Sequence, residues 1–272
     1  SKMQIFEKLR EEYRSLRESR FSSLRILENI LPNVQFDLPQ STPRFIRSKE
    51  TRPETLKQII KSSRESVFMV GDGGMGKTTS LIGIMDDAYD NNVQEENPVV
   101  FLELCVLSQD YRDWYGEQLG GTFIEQFIAS YLTGEPRRFL DKDHPYIAAL
   151  QEELFRLPEN GKKEYTVLLD GMNEIGFIND QSKKLFYDTI NRYLRYAKNL
   201  RLVITGRNDV YELSGENLLR VKALGLDDSN ILSVLQEAVA EGKISAVDYQ
   251  KLKMNKTNIA TNESRLWNCL RI

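Results

Sequence analysis

The chain is poor in the residues that thiol and metal chemistry need. Its 272 residues include two cysteines, Cys105 and Cys269, and one histidine, His144. Two cysteines so far apart match no metal-ligand spacing and no disulfide framework, and both are expected to be small buried hydrophobes in a reducing compartment. A single histidine, set in the polar stretch DKDHP, argues against a His-based dyad or zinc site and is expected in a loop or at a helix start. No apolar run approaches the roughly 20 residues that cross a bilayer. Ser1–Arg20 is charged throughout, unlike a secretory leader, so a cytoplasmic location is expected. Charge of one sign is also lacking: 37 Lys and Arg against 40 Asp and Glu leave a net charge of −3, with no overall pull toward nucleic acid.

What the chain does have is the stretch VFMVGDGGMGKTTS, Val67–Ser80. An apolar run leads into a glycine-rich loop and then a helix opening at Lys77. Gly71, four residues, Gly76, Lys77 and Thr78 complete the Walker A spacing. Glycines at 71, 73, 74 and 76 allow tight turns. The loop residues Asp72, Gly73, Gly74 and Met75 can then aim their N–H groups inward at phosphate oxygens. The positive end of the helix, through Lys77, Thr78 and Thr79, adds to that field. Lys77 can reach the β- and γ-phosphates, and the Thr78 hydroxyl can ligate Mg²⁺. A nucleoside triphosphate with magnesium is therefore the expected ligand.

Strand-like and helix-like segments alternate around this motif. Ile5, Leu9, Tyr13 and Leu16 follow helical spacing in a segment crowded with arginine, which reads as an amphipathic helix that packs on the core or links to an upstream domain, with a basic membrane-surface or partner helix as the alternative. Asn33–Pro43, bearing Pro39 and Pro43, reads as an extended linker. Thr51 is expected to cap a helix that buries Leu56, Ile59 and Ile60. Buried strands are expected at Val67–Val70, Val99–Leu104, Tyr165–Leu169, Leu202–Thr205 and Leu218–Leu224. Helices are expected at Lys77–Tyr89, Thr122–Leu132, Tyr146–Leu157 and Ser182–Ala197, the last burying Leu185, Phe186, Ile190, Tyr193 and Leu194. After Gly225 only helices are expected: Asp227–Ala240, Ser245–Leu252 and Asn262–Leu270. The pattern predicts an α/β fold, a three-layer α/β/α parallel sheet of P-loop NTPase type. Its divisions are an N-terminal helix and linker over 1–43, the NTPase domain over 44–224, and the start of a helical lid over 225–272.

Asp170 ends the run VLLD, a carboxylate at a strand tip as in a Walker B motif, placed to hold Mg²⁺ opposite Thr78. Just beyond it lie Asn173 and Glu174. Glu174, the one further acid near this tip in sequence, is a candidate to activate or position water. Asn173 cannot act as a base but could hold the water. Arg207, at the end of the Leu202–Thr205 strand, is a candidate to meet the γ-phosphate. In an open parallel sheet these tips share one edge.

Taken together, GDGGMGKTTS, LLDGMNEI and VITGRND resemble the NACHT-type members of the STAND nucleotide-switch ATPases. The strand order implied is that of P-loop ATPases with an extra strand between the two Walker strands. Glycine directly after the Walker B Asp is typical of that family, whereas most AAA+ motors resemble DE there. Phe45–Glu50 is similar to the family segment lining the adenine pocket, which carries over to Ile46 and Arg47. The resemblance implies ATP and ADP as ligands, slow regulatory hydrolysis and self-oligomerisation in the ATP state. It also implies effector and sensor regions outside this chain, and a role in innate immunity or anti-phage defence. Asn173 stands where many members have Asp, in keeping with slow turnover. The alternatives are a motor ATPase, which needs fast turnover and a basic track, and a small-molecule kinase. The kinase would need an arginine-bearing lid, for which Arg137–Arg138 is the one candidate.

Overall fold

A computed structural model describes residues 1–19, 31–36, 54–73, 75–90, 96–105, 121–136, 140–141, 143–177, 179–207, 213, 218–225, 228–242 and 244–254. Within them lie seven strands: β1 (Asn33–Phe36), β2 (Glu54–Thr55), β3 (Ser66–Val70), β4 (Val99–Glu103), β5 (Tyr165–Asp170), β6 (Leu200–Gly206) and β7 (Leu218–Gly225). They form one sheet in the order β2-β1-β7-β3-β6-β5-β4. The five strands from β7 to β4 are parallel, while β1 pairs antiparallel with both β7 and β2. The sheet is thus mixed and mostly parallel. β6 lies between the strand leading into the glycine loop and the strand ending at Asp170.

The central strands are apolar along their length because both faces are covered. Val67, Phe68, Met69, Leu168, Leu169, Val203 and Ile204 are all fully buried. The chain leaves β3 through α3 (Lys77–Tyr89), crosses to β4 at the far edge, and then steps back through β5 to β6. Right-handed crossovers in opposite directions place α3 on one face. On the other face lie α4 (Phe123–Leu132), α5 (Pro145–Phe155) and α6 (Asp180–Tyr196). Phe123 and Phe155 meet Tyr193 there, with ring centroids 5.8 and 6.0 Å apart.

α1 (Lys2–Glu18) buries Ile5, Phe6, Leu9, Tyr13 and Leu16. It touches α3, α4 and β4, so it closes the sheet's β4 edge and joins both helical layers. Its grip on α3 is polar as well as apolar. The Tyr13 hydroxyl bonds Asp86, and Asp90 at 2.6 Å, while Arg17 pairs with Asp86 at 3.2 Å. On its other flank α3 is tied to α2 (Leu56–Ser62) by Lys57 and Lys61, both paired with Asp87. α7 (Asp228–Ala240) and α8 (Ala246–Met254) follow β7. No helix among the described residues is long and apolar enough to cross a membrane.

Several expectations are corrected. Residues 33–36 are not linker but strand β1, because pairing with β7 satisfies their backbone groups. The cap of α2 is Thr55, not Thr51: its hydroxyl accepts from the Gln58 N–H in a capping box, and Glu54 lies in β2. Leu185 is 40% exposed rather than inward-facing, and Tyr187 takes the buried place beside Phe186. Cys105 is half-buried rather than fully buried. His144 stands at a helix start, as expected: it caps α5, accepting from the Tyr146 N–H at 3.2 Å. Cys269, the expected helix Asn262–Leu270 and Arg137–Arg138 lie outside the described residues.

One buried charge-bearing group makes stability depend on pH. Glu125 on α4 is fully buried, bonded by the Tyr193 hydroxyl through Oε2, while Oε1 has no hydrogen-bond partner among the described residues. Burial pushes its carboxyl up to about 7. The unfolded chain ionises this group near its ordinary value of 4.5. Stability from the protonated folded form is therefore full below that value and is lost as pH rises to about 7. The loss is about 3 kcal/mol. Glu125→Gln is expected to flatten the urea-melt stability between these pH values; an unchanged slope would place the titration elsewhere.

Candidate functional site

The site is assembled at the carboxyl edge of β3, β5 and β6. β3 runs into the loop, and the Gly71 N–H donates to the Gly206 carbonyl at 3.1 Å, tying the loop to the tip of β6. Gly76 caps α3 with φ of 76°. A Cβ there would also collide with the ring of Pro32, so both backbone and packing demand glycine. The helix then opens at Lys77, as the spacing predicts.

Lys77 Nζ donates to the Gly71 and Asp72 carbonyls at 2.6 and 2.7 Å, so it spans the loop. Burial lowers its pKa, Asp170 works against that, and Arg207 adds to the lowering. The Thr78 hydroxyl donates to Asp170 Oδ2 at 2.7 Å, across 92 residues of sequence. Asp170 Oδ1 accepts from the Thr205 hydroxyl at 2.6 Å. Burial raises the Asp170 pKa, and these two hydroxyl bonds oppose the rise. Thr205 is fully buried, and its oxygen also accepts from the Gly171 N–H at 2.9 Å. It therefore positions Asp170, though in sequence it reads only as a β-forming residue of its strand.

Gly171 has φ of 84° and turns the chain into a short 3₁₀ segment, Met172–Glu174. The Glu174 carboxylate lies back over it: a Cβ on Gly171 would sit 2.8 Å from Glu174 Oε2. Glycine after the aspartate is thus what lets Glu174 fold over the strand tip. Burial, then the charges of Asp170 and Glu103, raise the Glu174 pKa. Arg207 stands at the end of β6 and is exposed. Its Nη2 lies 3.7 Å from where a Gly73 Cβ would be, so the guanidinium overhangs the loop.

The structure thus brings Gly71, Asp72, Gly73, Lys77, Thr78, Asp170, Glu174 and Arg207 to one edge. Met75 is half-buried beside the loop and packs against the core, and Thr79 follows in the first turn of α3. Gly74, Ile46 and Arg47 lie outside the described residues. Glu174 is not the only further acid here. Glu103, at the end of β4, is the register partner of Asp170, and its charge raises both Asp170 and Glu174. Sequence reasoning missed it because the pairing of β4 with β5 joins segments more than 60 residues apart.

No family model matches the chain, and no curated protein matches it. Solved structures do. A STAND protein with a tetratricopeptide repeat sensor from Pyrococcus horikoshii is 18% identical over 76% of this chain and 28% of its own, with a TM-score of 0.40. The Drosophila ORC bound to DNA is 15% identical over 92% and 58%, with a TM-score of 0.48. Cdc6p from Pyrobaculum aerophilum is 19% identical over 75% and 51%, with a TM-score of 0.39. The chain spans less than two thirds of each. These likenesses reach no further than the fold, so the NACHT resemblance rests on the motifs alone.

Proposed function

We propose that this chain is the nucleotide-binding core of a regulated ATP switch that hydrolyses slowly. The observation that carries the reading is the Thr78–Asp170 hydrogen bond at 2.7 Å, which joins the Walker A helix to the Walker B strand. Two hard oxygen donors facing each other beside a lysine-spanned loop suit Mg²⁺. Thr78 and Asp170 would hold that ion, which would neutralise charge on the β- and γ-phosphates. Lys77 would bind phosphate oxygens. Glu174, or Asn173, would hold the attacking water. Arg207 would contact the γ-phosphate in the ATP state alone, supplying the difference in affinity that a switch needs.

In this reading ADP holds the helices after Gly225 against the core, and ATP releases them and favours self-assembly. Ile46 and Arg47 would line the adenine side. The motif resemblance is what supports NACHT-type signalling as the role of the switch, with innate immune or anti-phage defence as its setting. The test is the nucleotide that copurifies, identified by mass spectrometry, together with turnover. Bound ADP and turnover far below one per second are expected. Turnover above about one per second, the ordinary enzymatic range, with no retained nucleotide would reassign the chain to motors or kinases.

A further inference from the structure

A second concave site lies at the opposite edge of the sheet, where β5 and β6 begin. It is a cavity of about 340 Å³ lined by Lys61, Arg64, Lys162, Lys163 and Arg201, with Thr166 on its wall. Five cations around one pit are unusual in a chain of net charge −3. Acids bear on some of them: Asp87 pairs with Lys61 at 3.1 Å, and Glu65 acts on Lys163. Arg201 is fixed in place by donating to the carbonyls of Ile60 and Ser63 at the end of α2. Arg64 reaches across to the turn at Gly161, within 3.9 Å of where a Cβ would be. Burial, then the Arg201 and Lys198 charges, hold the Lys163 ammonium below the ordinary lysine range. An anion between these groups would relieve that repulsion.

We propose that this cavity binds a compact small molecule carrying two or more phosphate groups. Its volume equals that of roughly eleven waters at ~30 Å³ each, enough for a di- or triphosphate group. A polynucleotide presents charges in a line and needs a cationic track, whereas these cations surround one concavity. The site is separate from the glycine loop. Arg201 and Arg207 stand at opposite ends of β6, about 20 Å apart at ~3.3 Å per residue.

The test uses inorganic tripolyphosphate titrated calorimetrically into the full chain carrying Lys77→Ala, which disables the loop, at matched ionic strength. Saturable binding at one site per chain is expected. Adding Lys163→Glu should weaken it at least about tenfold, and the exposed Arg64→Ala, which leaves the α2 cap intact, should weaken it less but measurably. No saturable binding in the Lys77→Ala chain, or equal affinity in both further variants, would overturn the site. A single-stranded oligonucleotide that binds more tightly than tripolyphosphate would overturn the small-molecule assignment.

Discussion

Lys77→Ala is expected to weaken MgATP binding by roughly 100- to 1000-fold with little change in the melt. The ammonium bridges two loop carbonyls, at 2.6 and 2.7 Å. Phosphate oxygens entering the loop would replace those acceptors. Two hydrogen bonds from a charged donor at about 1.5–3 kcal/mol each amount to about 3–6 kcal/mol; because the same ammonium already bonds the loop carbonyls in the free chain, the lower part, about 3–4 kcal/mol, corresponds to the affinity lost. The carbonyls it leaves sit at a part-exposed loop and can turn to water, so the cost to folding is small. Calorimetry against the wild type reads the effect. Affinity within about threefold of wild type would remove Lys77 from the phosphate cradle.

Glu174→Gln is expected to slow hydrolysis by roughly 10²- to 10⁴-fold, the usual worth of a positioned acid or base. Nucleotide affinity should stay within about twofold. Glutamine keeps the shape that folds over Gly171 but cannot accept a proton. The position suits the role: burial and the neighbouring Asp170 and Glu103 charges lift the glutamate's pKa toward the range of a useful base. Single-turnover phosphate release separates this from binding. Unchanged release would move the water to Asn173 or Glu103, and Glu103→Gln then distinguishes those two.

The loop and both Walker elements were legible because each is carried by contiguous residues: a strand of valine and methionine, four glycines, and a run ending in aspartate. The parts that were not legible depend on partners distant in sequence. NVQF has too few residues to announce a strand, and becomes one because β7 offers an edge to pair with. Thr205 and Glu103 gain meaning only once β6 and β4 flank the Asp170 strand. Thr51 reads as the cap in sequence, but Glu54 and Thr55 are held as β2 against β1, so the helix opens later, at Leu56. Leu185 follows the helical period of its neighbours, but the layer formed by α4 and α6 takes Tyr187, beside the expected Phe186, in its place.

The contact between α1 and the far half of α3 has a mechanical meaning. One end of α3 carries Lys77 and Thr78; the other is gripped by Tyr13 and Arg17 through Asp86 and Asp90. A helix of 13 residues, about 20 Å long at 1.5 Å per residue, transmits tilt like a short lever. A tilt of α1 would therefore be felt at the end of α3 that carries Lys77 and Thr78, by a route separate from the helices that follow β7.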